Sequence, residues 1–189
     1  MTDSPNQPRP DPTEPAGQLV PSAISAAGTE LRGARLEGAQ LAGMDLSNRD
    51  LTGADLSGAN LSGARLDGAV LTAADLTNAH LTGAHLAFAD LERANLAFAD
   101  LTGADLAEAN LTGASLNSAT LTGATLVRAR VERVDLTDAD LIGADLTDAN
   151  LTGATLTGAR IHDTTGAALA VFHARNATHA QTGAALETI

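Results

Sequence analysis

The chain of 189 residues carries 23 acidic and 11 basic side chains, a net charge of −12, and no cysteine. This balance disfavours binding to a nucleic-acid backbone, which requires basic grooves, and the lack of cysteine excludes disulfides and thiolate metal sites. Only three phenylalanines supply aromatic volume, so leucine and alanine have to fill the core. Neither a basic-then-apolar leader nor a run of 18 apolar residues is visible, which predicts a cytoplasmic protein without a membrane anchor.

The two ends of the chain differ in composition from its centre. Five of the six prolines fall within residues 1–20 among polar residues; this composition predicts a disordered tail, because it buries too little apolar surface to offset its chain entropy. Residues 21–30 are expected to form an N-terminal cap. Residues 164–189 lose the central pattern, and a C-terminal cap or dimerisation segment is expected there. The candidate dimer contacts in that segment are three apolar residues: Leu169, Val171 and Phe172.

Between these ends, leucine returns at every fifth residue from Leu31 to Ile161. Of the 27 positions in this register, 25 are Leu, and 23 of the 26 positions two residues before the next Leu are Ala. A period of five fits neither the 3.6-residue repeat of an α-helix nor the simple alternation of a strand. Leu and Ala are therefore expected to point inward from a short extended segment, and the other three residues are expected to turn a corner.

Glycine occupies the position two residues after the repeat leucine in 14 units, as at Gly53. This position suits the third residue of a type II turn, which requires a positive φ. Asn or Asp, which tolerate the same conformation, replace glycine at other corners, as at Asn48, Asn78, Asp138 and Asp148. A different type of turn is predicted for the corners that carry bulkier side chains: Phe88, Arg93, Phe98, Arg128 and Arg133.

Four corners close a coil of 20 residues, so residues 31–163 are predicted to form an all-β, quadrilateral parallel β-helix of about six and a half coils. Parallel backbone ladders are expected to join the coils at a spacing of ~4.8 Å, which gives a rod on the order of 30 Å long. Arg49 is the exception, because its register points inward. It is expected to reach a coil edge or to bond backbone carbonyl groups.

The repeated unit Ala-(Asp/Asn)-Leu-(Thr/Ser)-Gly, as in residues 54–58, resembles that of the pentapeptide-repeat proteins over residues 31–163. This resemblance implies a right-handed quadrilateral β-helix without enzymatic activity or a cofactor. The functionally best-understood members of that family protect DNA gyrase or topoisomerase IV from poisons such as quinolones, imitate B-form DNA, and dimerise through their C-terminal ends. The resemblance therefore implies a homodimeric DNA mimic that acts in antibiotic resistance or self-immunity. The chain departs from many protective members in lacking a central Phe and any insertion between units.

Candidate partner-binding residues occupy the position before each repeat leucine, which is expected to point outward. The acidic residues there are Asp45, Asp50, Asp55, Asp75, Asp90, Asp100, Asp105, Asp135, Asp140 and Asp145. They could imitate DNA phosphates toward a protein with a basic DNA-binding surface, or they could serve only solubility and edge protection. The alternative function is a passive protein–protein interaction scaffold with contacts centred on Phe88, Phe98 or the segment 128–133.

The other polar residues predict neither a metal site nor a catalytic site. His80 and His85 occupy outward registers without ligand-spaced carboxylates, so no metal site is predicted. A filled rod offers no concave, water-poor cleft for general acid–base work, so no catalytic residue is predicted. The arginines of the segment 128–133 favour an ion-paired patch over a site. The phenyl rings of Phe88 and Phe98 are interpreted either as contact residues or as rings folded over a neighbouring corner.

Overall fold

The computed structural model describes Ile24 and residues 31–166. Within residues 31–165, single bridge residues alternate with two-residue turns at every fifth position. Every bridge is parallel and joins residue i to residue i+20, from Arg35–Asp55 to Asp145–Thr165. A spacing of 20 residues with a corner at every fifth residue defines a four-sided coil. The described residues therefore form a parallel β-helix solenoid, as the leucine period predicts. The right-handed sense of winding stays a prediction from the family resemblance.

Bridge residues of successive coils stack into four columns, one on each side of the rod. Face 1 begins at Arg35, face 2 at Gln40, face 3 at Asp45 and face 4 at Asp50, and each face continues in steps of 20 residues. Coils 1 to 6 are residues 31–50, 51–70, 71–90, 91–110, 111–130 and 131–150, and coil 7 begins at residue 151. Faces 1 and 3 lie on opposite sides of the rod, because ten residues are half a coil.

The core is a filled column of aliphatic side chains. All 27 repeat positions are buried, and none is more than 5% exposed. Most of the alanines two residues before them are buried as well and pack into the same cluster, while Ala34, Met44 and Ala149 are only partly buried. Each buried leucine contributes roughly 1.5–3 kcal/mol relative to an exposed one. The interior is therefore the main source of stability and has no room for a channel.

Three backbone hydrogen bonds per repeat unit join each coil to the next. At the unit around Leu56, the N–H of Leu56 donates to the carbonyl of Asp75 at 2.7 Å, and the N–H of Asp75 donates to the carbonyl of Ala54 at 2.9 Å. The corner adds a third bond, from the N–H of Gly58 to the carbonyl of Thr77 at 2.8 Å. Because corners as well as faces carry these bonds, the geometry of every corner is tied to the coil above it.

The corners with bulky side chains have the same conformation as the glycine corners, so the predicted difference in turn type is wrong. The φ values are 61° at Phe88, 57° at Arg93, 60° at Phe98, 58° at Arg128 and 56° at Arg133, and Gly103 has 65°. Each corner N–H has to meet a carbonyl group of the next coil, so the ladder imposes a positive φ on whichever residue stands there. Such a conformation costs a non-glycine residue roughly 1–2 kcal/mol.

Arg49 reaches the end of the solenoid, as the sequence predicts. Its Nη1 donates a hydrogen bond of 3.3 Å to the main-chain carbonyl of Ile24, whose side chain is fully buried. Ile24 lies in helical conformation against the core cluster that begins at Leu31. Within the described residues, no helix has the length and apolar character needed to cross a membrane.

Candidate functional site on the acidic faces

The ten candidate aspartates lie in the outward columns, spread over all four faces. Asp45 and Asp135 are exposed, and the other eight are half-buried. Face 1 carries Asp55, Asp75 and Asp135; face 2 carries Asp100 and Asp140; face 3 carries Asp45, Asp105 and Asp145; face 4 carries Asp50 and Asp90. The structure brings the carboxylates together along columns of the rod and not into a single cleft.

Every one of these aspartates also has a structural role that the sequence reasoning missed. Oδ1 of each accepts a hydrogen bond from the main-chain N–H two residues later, as from Thr77 to Asp75 at 3.0 Å. Where Ser or Thr follows at that position, its hydroxyl often donates to the same oxygen. Asn110 makes the same contacts with Thr112. The recurrent Asp/Asn-Leu-Thr/Ser pattern is the signal for this local turn.

The second carboxylate oxygen, Oδ2, divides the ten residues into two groups. In five of them a neighbouring side chain donates to Oδ2; we call these the engaged carboxylates, and they are Asp45, Asp50, Asp90, Asp100 and Asp140. Arginine is the donor in three cases, as from Arg32 to Asp50 at 2.8 Å and from Arg160 to Asp140 at 2.7 Å. Threonine hydroxyls are the donors in the other two.

The other five present Oδ2 to the surroundings; we call these the open carboxylates, and they are Asp55, Asp75, Asp105, Asp135 and Asp145. Among residues 31–166, no side chain forms a hydrogen bond or ion pair with Oδ2 of any of them. The open carboxylates occupy faces 1 and 3 only. Opposite sides of the rod thus carry carboxylates with unused acceptor capacity, whereas faces 2 and 4 carry engaged ones.

Hydrogen bonds lower the pKa of some of these carboxyl groups. The hydroxyl of Thr52, the guanidinium of Arg32 and the N–H of Thr52 lower the pKa of Asp50 to about 2. The hydroxyl and the N–H of Thr147 lower the pKa of Asp145 below its ordinary value. Both groups therefore stay ionised to a lower pH than an ordinary aspartate, since hydrogen bonds to the carboxylate favour the ionised form.

The basic residues interrupt this acidic surface at coils 5 and 6. Arg128 lies 3.6 Å from a carboxylate oxygen of Glu108, and Arg130 lies 3.9 Å from one of Glu132. The interpretation of this segment as an ion-paired patch is thus confirmed for both arginines. Exposed pairs of this kind contribute little to stability. Residues 31–166 contain 18 acidic residues and nine arginines, so the solenoid is still strongly anionic.

Among the residues that the structure describes, two corner phenylalanines are large apolar side chains exposed on the surface. Phe88 is 63% exposed and Phe98 is 57% exposed, so both rings are accessible to a partner. The two interpretations, contact residues and rings folded over a neighbouring corner, both stay predictions. His80 and His85 are exposed on faces 2 and 3. Within the part of the chain that the structure describes, no three His, Asp or Glu side chains are grouped so that they could hold a metal ion.

The predicted dimer contacts Leu169, Val171 and Phe172 lie outside the described residues. The same holds for residues 1–20, for residues 21–30 except Ile24, and for the greater part of the segment 164–189. The predictions of a tail and of terminal caps therefore stay predictions.

The fold and its surface define a class of protein: a solid β-helix whose outward positions carry carboxylates above a leucine core. A family model described as pentapeptide repeats matches this chain with eight copies; the matched residues fall in the ranges 29–68, 50–86, 89–128, 99–138 and 135–165. The chain belongs to the pentapeptide repeat family.

Solved structures of other repeat proteins are similar to this chain. HetL from the cyanobacterium Nostoc, involved in heterocyst differentiation regulation, is 36% identical over 71% of this chain and 78% of its own, with a TM-score of 0.34. A protein of the Arabidopsis thaliana thylakoid lumen is 29% identical over 66% and 69%, with a TM-score of 0.43. A trypsin-treated form of QnrB1, a plasmid-mediated fluoroquinolone resistance protein, is 19% identical over 81% and 84%, with a TM-score of 0.49. A search of curated protein sequences gave no significant match.

Proposed function

We propose that this chain is a non-catalytic DNA mimic that binds the basic DNA-binding surface of DNA gyrase or another type II topoisomerase. Binding would protect that enzyme from poisons, as antibiotic resistance or as self-immunity. The observation that carries the proposal is the set of five open carboxylates on the opposed faces 1 and 3. Their Oδ1 atoms are fixed by the turns, so each Oδ2 is held in place to accept hydrogen bonds from a partner's Arg or Lys.

Charge density indicates which part of the surface a partner would use. Duplex DNA carries one negative charge per ~1.7 Å of its axis. The solenoid has 18 acidic residues and nine arginines, and over a length on the order of 30 Å this is one net charge per ~3 Å. The rod as a whole is thus about half as densely charged as DNA. A basic partner should therefore contact faces 1 and 3, where no arginine of the described residues is paired with Oδ2 of the open carboxylates.

The topoisomerase is the partner to test because protective members of the pentapeptide repeat family act on that class of enzyme. A homodimer joined through Leu169, Val171 and Phe172, and a cytoplasmic location, belong to the same proposal. Light scattering on the purified protein gives the oligomeric state directly, and substitution of Phe172 by Asp is expected to convert a dimer to a monomer.

Gyrase supercoiling in the presence of a quinolone tests the proposal. The wild-type chain should restore supercoiling, and a variant with all five open carboxylates changed (D55N, D75N, D105N, D135N and D145N) should lose most of this protection. A matched control changes the five engaged carboxylates (D45N, D50N, D90N, D100N and D140N), which removes the same charge. Asn keeps the Oδ1 acceptor of each turn, so both variants should fold.

The proposal is wrong if the wild-type chain leaves quinolone inhibition unchanged. Equal loss of protection in the two variants would show that total charge matters and that the open carboxylates have no special role. Circular dichroism spectra of both variants should match the wild type, which excludes misfolding as the reason for any loss. The engaged-carboxylate variant should unfold at a somewhat lower temperature, because it loses the ion pairs of Asp45, Asp50 and Asp140.

A passive interaction scaffold is the second candidate function, and the exposure of Phe88 and Phe98 favours it. On that hypothesis the chain binds no topoisomerase, and its contacts with another protein depend on these rings and not on the open carboxylates. A partner that still binds the five-fold open-carboxylate variant but not a variant with both rings changed to Ala would support the scaffold.

A further inference from the structure

Contact with faces 1 and 3 is compatible with two orientations of the rod in a partner's groove. These faces lie on opposite sides, so a groove that contacts both of them receives either face 2 or face 4 at its floor. We call face 2 together with the two corners that border it the face 2 side, and face 4 with its two corners the face 4 side. Each corner consists of the two turn residues that follow a repeat leucine.

The two sides differ in their content of arginine. Within residues 31–166, the face 4 side carries seven acidic residues and five arginines, a net charge of −2. The face 2 side carries five acidic residues and one arginine, a net charge of −4. The face 2 side is therefore the more anionic, although it has fewer acidic residues. The arginines of the face 4 side are Arg32, Arg93, Arg128, Arg130 and Arg133.

The one arginine of the face 2 side lies near the end of the described rod. Arg160 belongs to coil 7, and its Nη1 lies 2.7 Å from Oδ2 of Asp140. Coils 1 to 6 therefore place no arginine on the face 2 side, whereas the face 4 side has arginines in coils 1, 4, 5 and 6. A basic groove that received the face 4 side would bring its own Lys and Arg against these guanidinium groups, and like charges across an interface are unfavourable.

The corner between faces 2 and 3 is nearly free of side chains. Its second turn residue is glycine in each of coils 1 to 6, and the residue before each of these glycines is uncharged. No heavy atom beyond the chain neighbours lies within 4 Å of the place where a Cβ would stand. A partner can therefore approach this corner closely over ~24 Å, which is five coil spacings. The glycines are Gly43, Gly63, Gly83, Gly103, Gly123 and Gly143.

The corner between faces 3 and 4 is different. Exposed side chains project from it in four consecutive coils, and Arg128 lies 3.6 Å from a carboxylate oxygen of Glu108 there. These side chains obstruct close approach to the face 4 side. The other border of face 2 carries Phe98 and Asp138 but no arginine. The projecting residues of the corner between faces 3 and 4 are Phe88, Glu108, Arg128 and Asp148.

We propose that the basic groove of the partner receives the face 2 side at its floor, contacts faces 1 and 3 with its walls, and leaves the face 4 side in solvent. The rod axis then lies along the groove, where the axis of duplex DNA would lie. The identity of the partner as a type II topoisomerase rests on the proposed function above. Each chain presents one such side, so the orientation applies to a single rod and equally to two rods joined at their C-terminal ends.

Two arginine substitutions, one in the column of each face, test this orientation. Thr120 on face 2 and Val70 on face 4 each lie between two engaged carboxylates of their own column. Both residues are half-buried and uncharged, so T120R and V70R add the same charge in similar surroundings. T120R should weaken binding to purified DNA gyrase, measured by surface plasmon resonance, about tenfold or more, because the new guanidinium group meets basic groups at the floor of the groove. V70R is the matched control and should bind like the wild type.

Thr122 and Val127 provide a second pair within coil 5, which removes any effect of position along the rod. Each follows a repeat leucine by one residue and is half-buried. Thr122 lies at the corner between faces 2 and 3, and Val127 lies at the corner between faces 3 and 4. T122R should weaken binding as T120R does, and V127R should bind like the wild type.

The outcomes separate this inference from the proposed function. If V70R and V127R weaken binding and T120R and T122R do not, face 4 lies at the floor and the inference is wrong. Equal losses within each pair, or no loss in any variant, also overturn the orientation and leave the proposed function standing, because the wild-type chain still binds. A wild-type chain that does not bind gyrase overturns both. The substituted side chains lie outside the core, so circular dichroism spectra of all four variants should match the wild type.

Discussion

Asp75 and Thr77 are joined by two hydrogen bonds that share one acceptor. Oδ1 of Asp75 accepts the main-chain N–H of Thr77 at 3.0 Å and its hydroxyl at 2.5 Å. The amide oxygen of Asn110 makes the equivalent pair of bonds with Thr112, at 3.2 and 2.7 Å. Asp and Asn are therefore interchangeable for the corner but differ in charge. Structure and binding can be separated by a substitution that keeps one oxygen and removes the charge.

Replacing Asp75 with Ala is expected to lower the free energy of unfolding by about 1 kcal/mol, because the N–H and the hydroxyl of Thr77 lose their shared acceptor. Asp75→Asn should change stability by less than about 0.5 kcal/mol. Denaturation in urea measures both values. Equal losses in the two variants would mean that the charge of Asp75, and not its hydrogen bonds, stabilises the corner.

Two corner substitutions of opposite direction test the cost of the positive φ. Gly103 has a φ of 65° with open space where the Cβ of an alanine would stand, so Gly103→Ala should cost about 1–2 kcal/mol from backbone strain alone. Ala73 has a φ of 55°, so Ala73→Gly should gain a similar amount. Unfolding temperatures of the two variants should shift in opposite directions. A gain in stability for Gly103→Ala would contradict this explanation.

The hydrogen bond between Arg49 and Ile24 is expected to protect the amides of coil 1 from hydrogen exchange. Arg49→Met removes the donor to the Ile24 carbonyl and should cost about 1 kcal/mol. Amide hydrogen exchange should accelerate most in coil 1. Arg35→Met is the control, since Arg35 is exposed in the same coil. If both variants exchange at the wild-type rate, the contact to Ile24 does not stabilise this end of the rod.

The lowered pKa of Asp50 predicts that the stability of the fold depends on pH in the acidic range. Its pKa is lowered from 3.8 to about 2 in the folded chain, so its stabilising contribution is complete above pH 4 and is lost as the pH falls through 2. An NMR titration of the Asp50 carboxyl group should therefore have a midpoint near 2. Arg32→Gln should raise this midpoint, because it removes a donor to Oδ2. A midpoint near 3.8 in the wild type would contradict the contacts described here.

The period of the leucines was sufficient to predict the coil, its core and the four columns, because a repeat of five with four corners allows one regular arrangement. The same reasoning failed at Phe88 and Arg93, because it judged each corner by the preference of its own residue. The corner N–H groups have partners in the next coil, and this collective ladder overrides local preference.

The distinction between open and engaged carboxylates was not predicted. Thr82 and Asp100, like Arg32 and Asp50, are 18 residues apart. The 20-residue coil brings such pairs together, so this rule could have been applied to the sequence once the coil length was derived. Whether Arg160 bonds Asp140, directly beneath it in the same column, depends in addition on side-chain conformation.

The bridge spacing of 20 residues limits how the repeat array can change in length without changing the arrangement of its surface residues. Insertion of a whole coil would lengthen the rod and leave every downstream side chain pointing in its former direction. Gain or loss of a single pentapeptide would preserve the leucine core yet rotate everything beyond it by a quarter turn. Asp135 and Asp145 would then lie on faces different from those of Asp55 and Asp105. Such a mutation would leave the stability of the rod nearly unchanged but would alter the arrangement of carboxylates that a partner protein contacts.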